Sequence, residues 1–473
     1  MTTPSAATPT LAPVPAMATA ADIWRAIQAH IAAGTPAAAG PLLHAYAATA
    51  PTDAGTCNAV VATFSHCGLA AESLPYAERT VALHPRNAIA RSNLCELLRR
   101  AGRMDEAVDH GRHAVGLDPA LATGHYHLGM ACHETLRMDD AIAHLRQAVA
   151  LDPAFAQAHF ELAEALLLTG QFKEGWREYE WRYAMRHVKP LLPPDHALPA
   201  WDGSPLPDRT LLLVCDQGYG DVIQFCRYIE HLVAHCPHLV VAASPPVLPL
   251  VRQQSSRPRY FSHWQDAGHA DCHIPLSSLP RIFNAGPGPI PLRIPYIRAE
   301  AAHAAAWRER LDQAAPNAPR RRIGVAWAGR PEHDNDARRS LTLAQLAPLA
   351  ALPDTTLVSL QVGAAREQVR QYRGRAPLLD VGGLLTDYAE TAAVMAGLDH
   401  VVCVDTSVAH LAGAMGVPAS VLLPYAPDWR WMLGRADSPW YPSLRLYRQG
   451  QPCDWSGVVE AVATNLHARA ASA

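Results

Sequence analysis

The sequence predicts two fold classes in one chain: an all-α array of helical hairpins, then an α/β unit with two parallel-sheet lobes. Two observations predict this division. Proline and glycine residues recur every 34 residues in the first part of the chain. From Arg209 onwards, apolar runs alternate with helical patterns in two successive blocks, which is typical of parallel sheets. A chain of 473 residues is expected to hold two or three domains.

Three sequence positions share the 34-residue period: a proline that ends a helix, a turn residue, and a small residue in the following helix. Their members are Pro51, Pro85, Pro119 and Pro153; Gly68, Gly102, Leu136 and Gly170; and Ala107, Ala141 and Gly175. This pattern resembles the tetratricopeptide repeat over about residues 52–187. Stacked repeats form a solenoid with a concave surface, which favours docking of a protein or peptide. An oligomerisation arm or a plain spacer is the alternative.

The last repeat leads into "GQFKEGWREYEWRYAMRHV", which is rich in aromatic residues and is interpreted as a buried junction with the next domain. The Pro-rich segment that follows predicts an extended connector. The predicted organisation is therefore a disordered tail (1–20), a tetratricopeptide helical domain (21–187), a Pro-rich linker (188–208), an N-terminal lobe (209–298) and a C-terminal lobe (299–473).

Composition excludes several classes of protein. The net charge of −3 and the pI of about 6.8 lack the basic excess of a nucleic-acid-binding surface. No apolar run has the length of a membrane span, and the N-terminus lacks the pattern of a signal peptide. The ten cysteines occur singly, as in proteins of a reducing cytosol, so a cytoplasmic location is expected. The repeat histidines are interpreted as solvated or packed, and not as metal ligands; they are His110, His113, His125, His127, His133 and His144.

Two loops carry the candidate site. In "CDQGYGDVIQFCRYI", Gly218 and Gly220 allow a close backbone approach, and Asp221 falls at a helix start. In "HVVCVDTSVAHLAGAMG", Asp405, Thr406 and Ser407 lie between a strand and a helix. Free backbone N–H groups at a helix N-terminus attract an anion, whereas a hydroxyl there can equally be a simple cap. The residues alone leave these alternatives open.

These segments resemble known enzymes. "VDTSVAHLAGAMG" looks like the "DTxxxHLxxALG" segment of the heptosyltransferase-like glycosyltransferases (family 9), and "CDQGYGDVIQFCRYI" looks like their "GDxxx" loop. Together with "IGVAWAGRPEHDNDARRSL" and "PYAPDWRWMLGRADSPWYPSLRLYRQ", the chain resembles bacterial tetratricopeptide–glycosyltransferase fusions. Those proteins are compared in architecture with the repeat-bearing O-linked N-acetylglucosaminyltransferases. The resemblance implies a GT-B fold of two Rossmann-like lobes, with the nucleotide-sugar donor held mainly by the C-terminal lobe.

The resemblance also implies roles for single residues. Asp221 would be the catalytic base that takes the acceptor proton, and Asp405, Thr406 and Ser407 would hold the donor. His410 would support that loop or a phosphate. The family's usual lysine is absent, so the diphosphate would be neutralised by an arginine among Arg330, Arg338 and Arg339, of which Arg339 fits best. The acceptor-side residues would be Gly218, Tyr219, Gly220 and Gln224.

Other residues have open alternatives. Trp327 and Gln361 would border the nucleotide base, or would equally pack in the core. Trp429, Arg430 and Trp431 form the rim of the site or, as readily, a contact between the lobes or between the repeats and a lobe. "DND" at residues 334–336 is interpreted as loop-shaping, and the C-terminal lobe lacks a metal motif such as DxD. Neither a metal nor another cofactor is expected, because arginines and a helix N-terminus would absorb the charge of the leaving group.

The function expected from the sequence is inverting, metal-independent transfer of a sugar from a nucleotide sugar to a protein or peptide acceptor docked by the repeats. A glycan or lipid-linked acceptor is the first alternative, and a non-catalytic repeat scaffold is the second. Neither a nucleic-acid partner nor an integral membrane segment is expected, and homo-oligomerisation is left open. Arg91 and Arg99 are predicted to lie on exposed helix faces of the groove.

Overall fold

The structure is a computed structural model that describes residues 19–185, 190–283, 293–333 and 335–471. Most of the predicted tail, the start of the predicted linker, part of the first lobe and Asp334 lie outside these residues. The chain divides into two compact units between Ala165 and Leu166. In the described part of the chain, no helix is long and apolar enough to cross a bilayer.

The first unit is built from antiparallel helical hairpins. Its helices are α1 (Ala20–Ala32), α2 (Gly40–Ala48), α3 (Ala54–His66), α4 (Ala70–Leu83), α5 (Ala88–Arg100), α6 (Met104–Leu117), α7 (Ala122–Glu134), α8 (Met138–Leu151) and α9 (Ala156–Leu168), the last of which extends into the second unit. The carboxylate of Asp53 caps α3 by accepting the N–H of Thr56 at 2.8 Å, and the side chain of Asn87 caps α5 through Ala90 at 3.0 Å. An all-α solenoid of hairpins is thus confirmed.

After the end of α9, the second unit continues with a short helix, α10 (Phe172–Tyr179), and a 3₁₀ turn over Glu180–Ala184. A four-stranded parallel sheet follows, in the order β3-β2-β1-β4. Its strands and helices are β1 (Thr210–Val214), α11 (Tyr219–Phe225), α12 (Ile229–His235), β2 (His238–Ala242), α13 (Leu248–Val251), β3 (Arg259–Phe261), β4 (Cys272–Pro275) and α14 (Leu279–Ile282). The Pro-rich connector reaches this sheet, because Ala200 forms a parallel bridge with His273 of β4.

A second parallel sheet has six strands in the order β10-β9-β8-β5-β6-β7. Its strands and helices are α15 (Ala301–Ala314), β5 (Arg321–Ala326), α16 (Asp336–Arg339), α17 (Ala347–Ala350), β6 (Thr355–Ser359), β7 (Leu378–Asp380), α18 (Tyr388–Met395), β8 (His400–Val404), α19 (Ser407–Met415), β9 (Ala419–Leu423), β10 (Leu444–Arg448) and α20 (Ser456–Ala471). Strands β6, β8 and β9 are buried along their whole length, as expected of central parallel strands. The predicted α/β character with parallel sheets is confirmed.

The aromatic helix α10 is part of the second unit. The Trp176 ring is 2% exposed and lies edge-on against Trp429, with ring centroids 5.1 Å apart. Just after α10, Arg182 donates to the hydroxyls of Ser277 and Ser278 at 2.7 and 2.8 Å. The interpretation of this segment as a buried junction with the α/β part is confirmed. These contacts explain why the compact units divide at residue 165, before α10, whereas the repeat period extends to residue 187.

Candidate functional site

The first predicted loop joins β1 to α11. Asp221 is the third residue of α11, and its Oδ2 accepts the N–H of Gly218 at 3.0 Å. The predicted position of Asp221 at a helix start is therefore correct. Its location after the carboxyl end of β1 places it at the edge of the sheet where ligands of open α/β folds bind.

The second predicted loop joins β8 to α19. Thr406 is the N-cap of α19, and its hydroxyl accepts the N–H of Val408 at 3.3 Å. The capping alternative therefore accounts for Thr406 in this structure. The hydroxyl of Ser407 instead accepts a hydrogen bond from Tyr388 at 2.7 Å. Helix α19 ends at Gly416 with φ of 73°, a conformation that favours glycine.

The two loops meet, because α11 packs against α19. A Cβ at Gly220 would lie 2.8 Å from Cδ2 of His410, so only glycine allows this approach without a shift. His410 is 4% exposed, and its Nδ1 lies 2.9 Å from the Tyr441 hydroxyl. Burial lowers the pKa of His410 to about 3, so the imidazole is neutral near pH 7. His410 therefore packs against the loop as a neutral imidazole, and its contact with a phosphate stays a prediction.

Arg430 connects the two loops electrostatically. Its Nη2 donates to Asp221, its Nη1 donates to both oxygens of Asp428 at 2.9 and 2.8 Å, and its Nε donates to Gln224 at 2.9 Å. Gln224, predicted on the acceptor side, is 0% exposed, and its side-chain oxygen accepts the hydrogen bond from Arg430. Its role beside the acceptor stays a prediction.

The aromatic neighbours of Arg430 are core residues. Trp429 and Trp431 are 1% and 0% exposed. Neither ring lies at a rim: Trp429 packs against Trp176 and Tyr179 of α10, in accordance with the repeat–lobe alternative, and Trp431 packs against His410 of its own lobe. Asp428 was missed in the sequence, although its position one residue before the aromatic cluster, in "YAPDWRW", was the available signal.

Asp405 lies in the same electrostatic group. It is 7% exposed, and burial raises its pKa to about 6, helped by the nearby Asp428 and opposed by Arg339. Asp221, Asp405 and His410 thus belong to one group of buried and partly buried charged and aromatic residues; their roles toward donor and acceptor stay predictions.

The three candidate arginines occupy different places. The Nε of Arg339 lies 3.6 Å from Asp336 and has no hydrogen-bond partner among the described residues. Arg338 is half-buried beside it in α16. Arg330 is exposed and lies over the ring of Tyr219, 5.6 Å from its centroid. Of the three, Arg339 is the one that acts on the pKa of both Asp405 and His410.

Trp327 and Gln361 are structural. The Trp327 ring is 0% exposed within the core of the six-stranded sheet, so it is closed to a nucleotide base in this conformation. The amide oxygen of Gln361 accepts the N–H groups of Trp327 and Ala328, both at 2.9 Å. The packing alternative accounts for both residues. The sequence alone does not show whether a tryptophan at the end of a strand faces a ligand or packs in the core.

Among the described residues, no group of three or more His, Cys, Asp or Glu side chains is arranged so that it could hold a metal ion. Of the "DND" segment, Asp334 lies outside the described residues. Asp336 accepts the hydroxyl of Ser340 at 2.9 Å, and the Ser340 oxygen in turn accepts the N–H of Gly329 at 2.9 Å. These bonds shape the loop after β5, in accordance with the loop-shaping interpretation.

The repeats show regular features of their own. The turn residues Gly68 and Gly102 both have φ of 77°, and Leu136, where glycine is missing, has φ of 58°. The carbonyl of each repeated proline is bonded by the side chain six residues later. The pairs are Cys57 Sγ with Pro51 at 3.2 Å, Arg91 Nε with Pro85 at 2.7 Å, His125 Nε2 with Pro119 at 3.2 Å, and His159 Nε2 with Pro153 at 3.1 Å. Packed histidines thus stabilise the repeat, as interpreted.

Arg99 is not on an exposed helix face, so that prediction is wrong. Its side chain is 12% exposed and forms ion pairs with Glu96 and Glu134. The helical period that placed it beside Arg91 and Arg100 does not reveal that two acidic side chains enclose it.

Two protein-family models match segments of the helical repeats, and the second match extends a few residues beyond the first unit. One, described as "Tetratricopeptide repeat", matches residues 68–122, and the other, described as "TPR repeat", matches residues 137–170. The chain carries tetratricopeptide repeats. These repeats present concave surfaces that bind other proteins, which makes the first unit a candidate protein-interaction scaffold.

Individual proteins that are similar to this chain share about a quarter or fewer of their aligned residues with it. Protein FlbA of Caulobacter vibrioides is 26% identical over 344 residues, which cover 66% of this chain and 55% of FlbA. The chain thus spans just over half the length of that relative. TTC0263, a tetratricopeptide protein of Thermus thermophilus, is 23% identical, covering 36% of this chain and 92% of its own, with a TM-score of 0.31. MamA from Desulfovibrio magneticus RS-1 is 21% identical, covering 35% and 93%, with a TM-score of 0.29.

Proposed function

We propose that the second unit is a GT-B glycosyltransferase that transfers a sugar from a nucleotide sugar to a protein or peptide acceptor recognised by the tetratricopeptide repeats. The observation that carries this proposal is the meeting of two loops that are far apart in the chain. Asp221 follows a strand of the four-stranded sheet, and Asp405 with His410 follows a strand of the six-stranded sheet. Loops at the carboxyl ends of parallel strands are where such folds bind ligands.

The chemistry assigns a role to each group. The N-terminus of α19 and the Arg339 guanidinium would stabilise the negative charge of the departing nucleoside diphosphate. The Asp221 carboxylate would take the proton of the acceptor hydroxyl as it attacks the anomeric carbon, and in-line attack would invert the anomer. Burial raises the pKa of Asp221, which makes it a stronger base than an exposed aspartate.

The donor assignment is tested with a panel of UDP, GDP, ADP and CMP sugars, first by thermal shift and then by titration calorimetry. Asp405→Ala and Arg339→Ala should each weaken binding of the sugar nucleotide that responds, by about 1.5–3 kcal/mol for a lost charge-assisted hydrogen bond. Arg370→Ala is the control, because that side chain is 82% exposed on the surface. Wild-type affinity in both site variants would remove the donor assignment.

The base assignment is tested by turnover. Asp221→Asn should lower the transfer rate by about 10²–10⁴-fold, the range for a positioned general base, and should leave donor affinity nearly unchanged. The side-chain oxygen of asparagine can accept the N–H of Gly218 as the carboxylate does, so a role confined to capping α11 predicts normal activity. Full activity of Asp221→Asn would therefore contradict the role of this carboxylate as base.

A non-catalytic scaffold is the second candidate, because the repeats are interaction modules and Asp221 is paired with Arg430 in this structure. Under this alternative, the panel gives no thermal shift with any sugar nucleotide, and the protein still binds a partner through its repeats. A glycan or lipid-linked acceptor is distinguished at the transfer step. A small free glycan would then accept the sugar as well as any protein does.

A further inference from the structure

The contacts of Arg430 cross between the two sheets of the second unit. Arg430 and Asp428 follow β9 of the six-stranded sheet, in the 3₁₀ turn Trp429–Trp431 and just before it. Asp221 and Gln224 belong to α11, which follows β1 of the four-stranded sheet. The guanidinium thus joins two acidic side chains, one that follows each sheet. It also lies over the Trp429 ring, 4.2 Å from the ring centroid. The proposed base and its positive partner are supplied by different sheets.

We propose that Arg430 is a positioning residue for the reaction: it is the counter-ion that keeps Asp221 ionised and oriented when the two sheets are together. This inference rests on the proposed function, in which Asp221 is the base. It adds that the base is complete only when a residue from the other sheet is in place. Asp428 and Gln224 fix the guanidinium on its other sides, so that one edge is directed at Asp221.

Burial makes this pairing strong. The side chains of Arg430 and Asp221 are 9% and 19% exposed. A buried ion pair adds little stability against apolar replacements, but removal of one partner leaves the other charge unpaired at large cost. If Arg430 is lost, Asp221 can avoid that cost only by taking up a proton. A protonated Asp221 cannot act as a base.

Arg430 lowers the pKa of Asp221, whereas the acidic groups near this carboxylate raise it. Burial raises the pKa of Asp221, and Asp428 and Asp216 raise it further. His410 on α19 is neutral, and Arg227 at the end of α11 is bonded to the Trp440 carbonyl and the Tyr296 hydroxyl. Arg430 is therefore the main positive group acting on this carboxylate. Removing Arg430 should raise the pKa of Asp221, and removing the charge of Asp428 should lower it.

The pairing is tested without any substrate, by thermal unfolding of the full chain at pH 4 and pH 8. Arg430→Gln should lower the melting temperature, and more strongly at pH 8. A group whose folded pKa is raised binds a proton on folding, so stability falls as pH rises from the unfolded value of about 4 to the folded value. Adding Asp221→Asn to Arg430→Gln should then restore part of the melting temperature at pH 8 and little at pH 4. Asp437→Asn, at an exposed acid, is the matched control and should restore nothing.

The catalytic consequence is tested by pH–rate profiles with the sugar nucleotide identified in the panel. The acid limb should move to higher pH by one unit or more in Arg430→Gln, to lower pH in Asp428→Asn, and should stay closer to wild type in Arg430→Lys. Opposite shifts from two neighbouring substitutions are not expected of a role in folding alone. If Arg430→Gln folds poorly, the Asp428→Asn and Arg430→Lys profiles still decide the matter.

The outcomes separate this inference from the proposed function. Rescue at pH 8 together with opposite shifts of the acid limb supports it. Absence of rescue by Asp221→Asn, or a lower rate with an unmoved acid limb, overturns it. If no sugar nucleotide is turned over, the proposed function fails, and the unfolding experiment alone then decides whether Arg430 is the counter-ion of Asp221.

Discussion

Replacement of a glycine in a repeat turn tests whether backbone conformation, rather than side-chain packing, fixes that position. Gly102 has φ of 77°, and a Cβ there would meet nothing within 4 Å. Gly102→Ala therefore adds strain without a clash. A left-handed conformation costs an L-residue roughly 1–2 kcal/mol. The lower entropy of the unfolded alanine variant offsets about 0.4–1 kcal/mol of that cost.

The matched control is Gly116→Ala. This glycine also has open space around a Cβ, but it lies in helix α6 with a negative φ. Alanine in a helix is favoured over glycine by about 0.5–1 kcal/mol, so this variant should be more stable than wild type. The two substitutions add the same methyl group to nearby positions and are expected to act in opposite directions, with a difference of roughly 1–2 kcal/mol.

Urea unfolding of the full chain, followed by far-ultraviolet circular dichroism, measures the midpoint of the helical transition. Hydrogen exchange of peptides from α5 and α6 reports the same effect locally. Gly102→Ala should lower the midpoint and speed exchange, and Gly116→Ala should do the reverse. Equal effects of the two variants, or a stabilising effect of Gly102→Ala, would refute the reasoning from backbone conformation.

Two further predictions concern the site and the repeats. Gly220→Ala should lower the melting temperature, because overpacking against His410 costs about 1–3 kcal/mol. In a His410→Ala background, which is itself less stable, the same substitution should cost less, and an equal cost in both backgrounds would contradict the contact; Gly457→Ala is the open-space control. Burial raises the pKa of Glu161 to about 7, so stability should fall as pH rises from about 4 to 7. Glu161→Gln should therefore raise the melting temperature at pH 8 and leave it unchanged at pH 4, and an equal effect at both pH values would speak against the raised pKa.

The periodic elements were predictable because local chemistry specifies them. A residue with positive φ ends each first helix of a hairpin, and a proline follows each second helix, so spacing alone located the turns. Leu136 shows the limit of this logic. It takes φ of 58° without being glycine, because the neighbouring repeats impose the turn on it. The pattern of the other copies, and not the residue itself, revealed that position.

For the candidate site, the sequence predicted which residues lie at the end of a strand, but not which residues of different elements contact each other. The strand–turn–helix pattern placed Asp221 and Asp405 at the carboxyl ends of parallel strands. Pairing of Asp221 with Arg430 depends on how two sheets approach each other, and no local pattern carries that information.

The charges of the site bear on what its donor must be. Asp221, Asp405 and Asp428 face Arg339 and Arg430, and His410 is neutral, so the group already has more acidic than basic side chains. A diphosphate adds further negative charge, and it would be repelled by Asp405, whose pKa is raised to about 6 by burial and by Asp428. We infer that Asp405 accepts hydrogen bonds from sugar hydroxyls, while the phosphates are held by Arg339 and the N-terminus of α19. Calorimetry separates the two contacts, because Asp405→Ala should then weaken the sugar nucleotide but not the matching nucleoside diphosphate. Equal weakening of both would place Asp405 at the phosphates after all.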